Sequence, residues 1–235
     1  VNASAIETLF ESEALLAVNK PEGISSIPER DLGVPSVRRV LEGARGETLF
    51  VVHRLDKEVS GVLLFAKNAV AHRELSIAFE QRRVEKRYLA VVHGRIEKDE
   101  LVIDAPLREY GSGRMGVDPR GKPSRTRVRV IERAPSTTLV EVRPETGRRH
   151  QIRAHLYSEG HALVGDSRYG DTKKNQGGRL MLHASRLVLP ALSFSAPPSL
   201  EAPLGETFRR ELSRLGVSAP EGSKGAEAPR EAHDG

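Results

Sequence analysis

Apolar and polar positions along this chain follow two rhythms, one of period two and one near 3.6, and the switches between them predict its elements. Residues 14–19 (Ala-Leu-Leu-Ala-Val-Asn) make an apolar run that predicts a buried strand, stopped by the tight turn Lys20-Pro21-Glu22-Gly23. Ser36 is placed to cap a short helix through Val37, Val40 and Leu41. A second apolar run opens at Val51-Val52, breaks into polar residues at His53-Arg54-Leu55-Asp56-Lys57-Glu58, and resumes from Gly61 to Ala66. After Asn68 the period lengthens, with Leu75, Ala78, Phe79 and Arg82 on one helical face. Residues 86–93 predict a central strand that Gly94 ends. Residues 110–122 are rich in Gly and Arg and poor in apolar side chains, which predicts an exposed, mobile loop. Alternation then returns, Thr126, Val128 and Val130 against Arg125, Arg127 and Arg129, and predicts an edge strand with Thr138–Arg143 as its hairpin partner. Thr146-Gly147 leads into a helix through Ile152 and Leu156 that ends near Gly160, and His150, Arg153 and Tyr157 fall on or near one stripe of it. Residues 180–189 predict a late strand and 204–215 a last amphipathic helix.

Strands and helices mix here without regular alternation, and the period-two segments imply antiparallel pairing. The expected fold class is therefore α+β, with a mixed, mainly antiparallel central sheet flanked by helices and loops. Residues 1–215 are read as one domain; residues 216–235, polar and rich in Pro and Gly, are expected to form a disordered tail.

Composition narrows the chemistry. Cys is absent, which excludes disulfides, thiol catalysis and thiolate metal sites. His150 and His155 are five apart and no HExxH occurs, so no metal site is expected. No apolar run approaches the roughly 20 residues that span a bilayer. The N-terminal residues also lack a basic region followed by an apolar one, so a soluble, cytoplasmic protein with no membrane contact is expected. The net charge is +5, but the residues from Pro197 onward carry a net −2, so the body before them carries +7. Arg108, Arg114, Arg120, Lys122, Arg125, Arg127 and Arg129 cluster there, followed by Arg148, Arg149 and Arg153, as in a protein that binds a polyanion. Aromatic residues are 4% of the chain and Trp is absent, which argues against a sheet face of stacked aromatics and makes each of the four Tyr residues worth weighing.

The polar break at residues 53–58 has two readings on its own residues, a turn with solvated charges or a catalytic loop whose carboxylate Asp56 acts as nucleophile or base beside Arg54 and His53. Distant segments favour the second. Asn19-Lys20-Pro21-Glu22-Gly23 is similar to a KPxG turn, His53-Arg54-Leu55-Asp56 with Ser60-Gly61 to HRLDxxTSG, and Lys86-Arg87-Tyr88-Leu89-Ala90 to KxYLA. Gly121-Lys122-Pro123-Ser124-Arg125-Thr126 is similar to GKxAxT, and the segment from Thr146 to Leu156 to TGRxHQIRxHL. Gly165-Asp166-Ser167-Arg168-Tyr169-Gly170 and Leu180-Met181-Leu182-His183-Ala184 complete the order. In these seven motifs the chain resembles the RluA-type family of pseudouridine synthases. It departs from the pattern at Val59, where Thr is usual, and at Ser124, where Ala is common. Only about a dozen residues precede the first strand, so the small S4-type RNA-binding domain of many relatives is not expected.

The resemblance implies the pseudouridine synthase catalytic fold and the isomerisation of uridine in structured RNA, ribosomal or transfer. The N1–C1′ bond is cleaved, the uracil turned, and the ring rejoined through C5. No redox change or external group is involved, so no cofactor is expected, and no obligate protein partner. It further implies Asp56 as the carboxylate that acts on the sugar, Arg153 as its charge-assisted partner, and Tyr88 as a ring stacked on uracil with its hydroxyl near C5. Arg54 would hold the flipped nucleotide or fill its vacated space, with His53 beside it in the same motif and Leu182 packed on the base. Arg125, Arg127 and Arg129 would contact phosphates. Two rivals from other classes are an RNA-binding or ribosome-assembly protein with a vestigial site and a metal-assisted phosphodiesterase. Intact Asp56, Tyr88 and Arg153 argue against the first, and the absence of grouped carboxylates or His ligands for two metals against the second.

Overall fold

The structure is a computed structural model that describes residues 3, 6–29, 33–111, 113–170 and 178–220. Among them the chain forms β1 (Glu7–Glu11), β2 (Leu15–Lys20), α1 (Val37–Arg45), β3 (Phe50–Val51), β4 (Ser60–Ala66), α2 (Ala69–Glu80), β5 (Glu85–His93) and β6 (Glu100–Asp104). Then come β7 (Leu107–Glu109), β8 (Met115–Val117), β9 (Arg125–Arg133), β10 (Thr137–Pro144), α3 (Gln151–Ser158), β11 (Leu182–Val188), β12 (Ser199–Glu201) and α4 (Glu206–Arg214). Ten strands make one sheet in the order β1-β2-β4-β11-β5-β10-β9-β6, with β12 added to β11 and β3 to β4; β7 and β8 form a separate ribbon. Every pairing in the large sheet is antiparallel except β4 with β11, so the fold is α+β with a mixed, mainly antiparallel sheet.

The helices begin where side chains supply the missing acceptors. Ser36 accepts the Arg39 N–H to cap α1, and Asn68 accepts the Ala71 N–H to cap α2. The unbroken apolar run of β4 follows from burial on both faces. Leu63 and Phe65 pack in one cluster with Val37 and Leu41 of α1 and Ile152 and Leu156 of α3, whereas Val62, Leu64 and Ala66 pack with Ala71, Leu75 and Ala78 of α2. Phe208 and Leu212 of α4 close a third cluster over Leu89 and Val91.

The parallel step from β4 to β11 positions the site, because it joins the strand that follows the polar break to the one that carries Leu182. It depends on Gly61, whose φ is +117° and whose Cβ, if present, would lie 2.2 Å from the Ala184 carbonyl oxygen.

Several expectations are corrected. The strand carrying Arg125, Arg127 and Arg129 is not an edge, because β6 pairs along its outer side. β6 is short, three apolar residues between two acids, too few to display a period of its own. The 110–122 stretch is not simply an exposed loop: Met115 is buried, β8 pairs with β7, and Asp118 binds the Arg120 backbone and guanidinium. α2 ends at Glu80, and Arg82 turns left-handed with φ 58°, off the helical face expected to hold it. Val217, two residues into the expected tail, is buried beside Leu212, and its N–H donates to the Leu212 carbonyl; residues 221–235 lie outside the described residues. No helix among the described residues is long and apolar enough to cross a membrane.

Candidate active site

The polar break between β3 and β4 is a turn fastened from beneath. Leu55 is buried, and its N–H and carbonyl both bond the Ser26 hydroxyl, at 3.0 and 2.8 Å. The Asp56 carbonyl accepts the Val59 N–H at 3.1 Å. The Lys57 carbonyl accepts from the Gly23 N–H at 2.9 Å and from the fully buried Lys20 ammonium at 3.1 Å. That ammonium also donates to the carbonyls of Ile24 and Pro21, so the KPxG turn works as a clamp under the Asp56 loop. Burial pushes the Lys20 ammonium down to about 7, against the opposing pull of Glu58, Asp56 and Glu22. Val59, the departure from pattern, is buried in the main core, where an aliphatic side chain needs no polar partner.

Above this turn opens a cleft of about 500 Å3. Asp56 lines it, with its side chain 27% exposed. The sheet contributes Tyr88 and Leu182, the entry to α3 contributes His150 and Arg153, and the rim carries Arg54, Arg82, Lys86, Arg148 and Arg149. Among the described residues of the lining the one other carboxylate is Glu80. Asp56, partly exposed, thus sits among many cations, an arrangement able to draw in a polyanion and bring it to that carboxylate.

Arg153 does face Asp56, as a long ion pair without a hydrogen bond. Its Nη1 lies 3.7 Å from Asp56 Oδ2 and 3.7 Å from Glu58 Oε2, while its Nε and Nη2 donate to both oxygens of Asp166 at 2.8 Å. Asp166 is wholly buried and also accepts the N–H groups of Arg168 and Tyr169. Burial alone would raise the Asp166 carboxyl, but the hydrogen bonds and charge of Arg153 overcome this and leave it below the ordinary carboxylate range. The bidentate grip aims the remaining Arg153 nitrogen at the turn that carries Asp56 and Glu58.

His150 is the residue that sequence reasoning set aside. It precedes α3 with φ 49°, so it leaves the helical stripe expected for it and turns its ring into the cleft, with Nε2 3.7 Å from Asp56 Oδ2. Its Nδ1 meets the Tyr169 hydroxyl at 3.1 Å. Asp166 and Tyr169 both stand in the Gly165–Gly170 motif, which offered a signal without assigning either a task.

The remaining residues divide clearly. Tyr88 lines the cleft, and burial together with the Asp56 carboxylate pushes its phenol above the ordinary range, so it is held as the neutral phenol. Leu182 is nearly buried in the cleft lining, and Arg54 is exposed there. His53 accepts the Leu64 N–H at Nε2 and stacks on Phe79 with ring centres 4.7 Å apart. Burial, with Lys86 nearby, pushes it down to about 3, so it supplies a neutral wall. Arg125, Arg127 and Arg129 are not brought to this cleft. Cross-strand register sets Arg125 opposite Asp104 and Arg129 opposite Glu141; Arg125 pairs with Asp104 at 2.8 Å, Arg127 with Glu145, and Arg129 with Glu141 at 3.4 Å. The ribbon read as basic is therefore largely neutralised by its neighbours. Likewise His155 is buried between Thr126 and the Ala105 carbonyl, and no group of three metal-ligating side chains occurs among the described residues.

The family model described as RNA pseudouridylate synthase matches residues 14–158 of the chain. A ribosomal large subunit pseudouridine synthase C of Vibrio vulnificus is 36% identical over 219 residues, covering 89% of this chain and 69% of that relative. A tRNA pseudouridine synthase C of Salmonella typhimurium is 36% identical over 236 residues, covering 90% of each. Among solved structures, human RNA pseudouridylate synthase domain containing 4 superposes with a TM-score of 0.77 at 27% identity, covering 93% of this chain and 97% of that one.

Proposed function

The chain belongs to the RNA pseudouridylate synthase family, and from that premise we propose that it isomerises uridine to pseudouridine in ribosomal or transfer RNA with Asp56 as the reacting carboxylate. The observation that carries this reading is the position of Asp56, partly exposed in a cleft whose rim is cationic, with Arg153 aimed at it and Tyr88 beside it in the lining. Attack on C1′ and removal of a sugar proton both need a carboxylate that reaches the ribose, and Asp56 serves either. Asp166 keeps Arg153 from swinging away during the reaction. Tyr88, as a neutral phenol, is suited to stack on uracil and to hold a hydrogen bond; it takes a proton from C5 only by passing its own onward. Leu182 offers the base an apolar surface. Arg54, exposed on the rim, is suited to grip the backbone of a nucleotide drawn from its stack, a step that costs a few kcal/mol and favours loops and bulges. Residues 1–215, with Val217 packed on them, form the catalytic domain in this reading, and ribosomal and transfer RNA locate the work in the cytoplasm.

The test is tritium release from RNA labelled at uridine C5, with unmodified ribosomal and transfer RNA as separate substrates. Wild type releases tritium from one of them, and Asp56→Asn releases none. Absence of release from either RNA removes the proposed substrates, and full release by Asp56→Asn removes the assignment of the carboxylate.

A further inference from the structure

We infer that His150 is a positioning residue for the reaction: it presents a hydrogen on Nε2 to Asp56 Oδ2, and with Arg153 tethers that oxygen so that Oδ1 is the one offered to the ribose. The inference rests on the reading of Asp56 as the reacting carboxylate and names the device that orients it.

The tautomer follows from a hydrogen-bond count around Tyr169. Its hydroxyl oxygen accepts the Met115 N–H at 2.8 Å, and Tyr169 is 1% exposed. The hydroxyl proton therefore needs a protein acceptor, and among the described residues the polar atom in reach is His150 Nδ1 at 3.1 Å. Were Nδ1 protonated instead, two donors would face one oxygen and the phenolic proton would be buried without a partner. So Nδ1 accepts, and in the neutral ring the proton resides on Nε2, the nitrogen that faces Asp56.

The surroundings hold the ring neutral and still. The side chain is 8% exposed, and the Tyr169 ring meets it edge-on with centres 5.8 Å apart. Burial lowers its proton affinity below that of ordinary histidine; the Asp56 charge opposes this, and Arg153, Arg149 and Arg168 reinforce it. The left-handed backbone at φ 49° is what turns the side chain out of the helical stripe and toward the turn.

Two donors converge on one oxygen. His150 Nε2 and Arg153 Nη1 each lie 3.7 Å from Asp56 Oδ2, a separation that a small rotation of the carboxylate brings to hydrogen-bonding distance when the ribose docks. Among the described residues no hydrogen bond engages Oδ1. A carboxylate tethered through one oxygen keeps the other oriented, which is worth rate in proportion to the misalignment it prevents.

Two substitutions separate orientation from packing. His150→Gln keeps a donor near the position of Nε2, whereas His150→Leu removes it, and neither branches at Cβ where the backbone is left-handed. On the RNA that wild type modifies, His150→Leu is expected to lower kcat about tenfold to a hundredfold, the scale of one charge-assisted hydrogen bond, with KM nearly unchanged. His150→Gln is expected to recover most of it. Equal loss in both variants, a change confined to KM, or full kcat in His150→Leu overturns the inference. If His150→Leu does not fold, 15N NMR of histidine-labelled wild type decides: a proton on Nε2 of His150 at pH 7.5 supports the tether, and a proton on Nδ1 refutes it. These outcomes differ from a failure of the parent reading, in which Asp56→Asn itself stays active.

Discussion

Replacing Asp166 with Asn tests whether a buried clamp governs the cleft. Arg153 is 4% exposed and Asp166 is 0% exposed, so neither has water as an alternative partner. Asn keeps one oxygen for the Arg168 and Tyr169 N–H groups but sets an amide N–H2 against a guanidinium N–H, and the guanidinium charge loses its 2.8 Å partner. Removing one member of a buried ion pair costs about 3–5 kcal/mol. Asp56 and Glu58, each 3.7 Å from the same guanidinium, recover part of it, which puts the expectation at the lower end, about 3 kcal/mol. Urea denaturation at pH 7 measures this directly. The same variant should lose at least about tenfold in kcat, because Arg153 is then free to turn toward Glu58 and solvent. Asp166→Asn combined with Arg153→Met should cost less than the sum of the single changes, since the double variant buries no unpaired charge. The pH dependence has a defined sign. The folded carboxyl lies below its ordinary value, so its stabilisation is present above the ordinary carboxylate range and is lost as pH falls through the lowered value. The gap between wild type and Asp166→Asn must therefore narrow in acid. An unchanged urea midpoint with unchanged kcat, or strict additivity with Arg153→Met, would show that Asp166 is not what holds Arg153.

Burial pushes His183 down to about 4 and His53 down to about 3, so the unfolded chain takes up their protons first and stability falls as pH drops below the ordinary histidine range. Urea titrations should show a loss of up to about 1.4 kcal/mol per pH unit for each of them, and a His183→Gln variant whose slope matched wild type would contradict this. Gly61→Ala should abolish soluble, folded protein, because the new Cβ would sit 2.2 Å from a backbone oxygen in a strand pair with nothing soft to yield; expression with a native circular dichroism spectrum would disprove the close approach.

Much of the fold was legible because strands and helices impose periods that burial makes visible. Thr126, Val128 and Val130 alternate because one face of β9 packs inward, and Leu63 and Phe65 run on with Val62 and Leu64 because β4 is covered on both sides. β6 and the β7–β8 ribbon escaped because strands this short display no period and owe their pairing to neighbours rather than to their own pattern. The motifs likewise pointed to Asp56, Tyr88 and Arg153, which share one cleft lining.

Other properties depend on distances through space. Arg125, Arg127 and Arg129 read as free cations in one dimension, yet strand register sets acids opposite or beside them and neutralises them. Arg153 read as the partner of Asp56, yet Asp166, thirteen positions later, takes its two strongest hydrogen bonds because a buried guanidinium seeks the carboxylate that can meet it bidentately. His150 read as sharing a helical stripe with Arg153 and Tyr157, and only a left-handed backbone turns it into the cleft. The amino-acid order by itself determined the family, the period of each long element and the identity of the reacting carboxylate proposed here. Which groups neutralise, clamp and aim that carboxylate was decided by tertiary structure, since charge and hydrogen bonding act over a few ångströms between residues whose separation along the chain carries no such information.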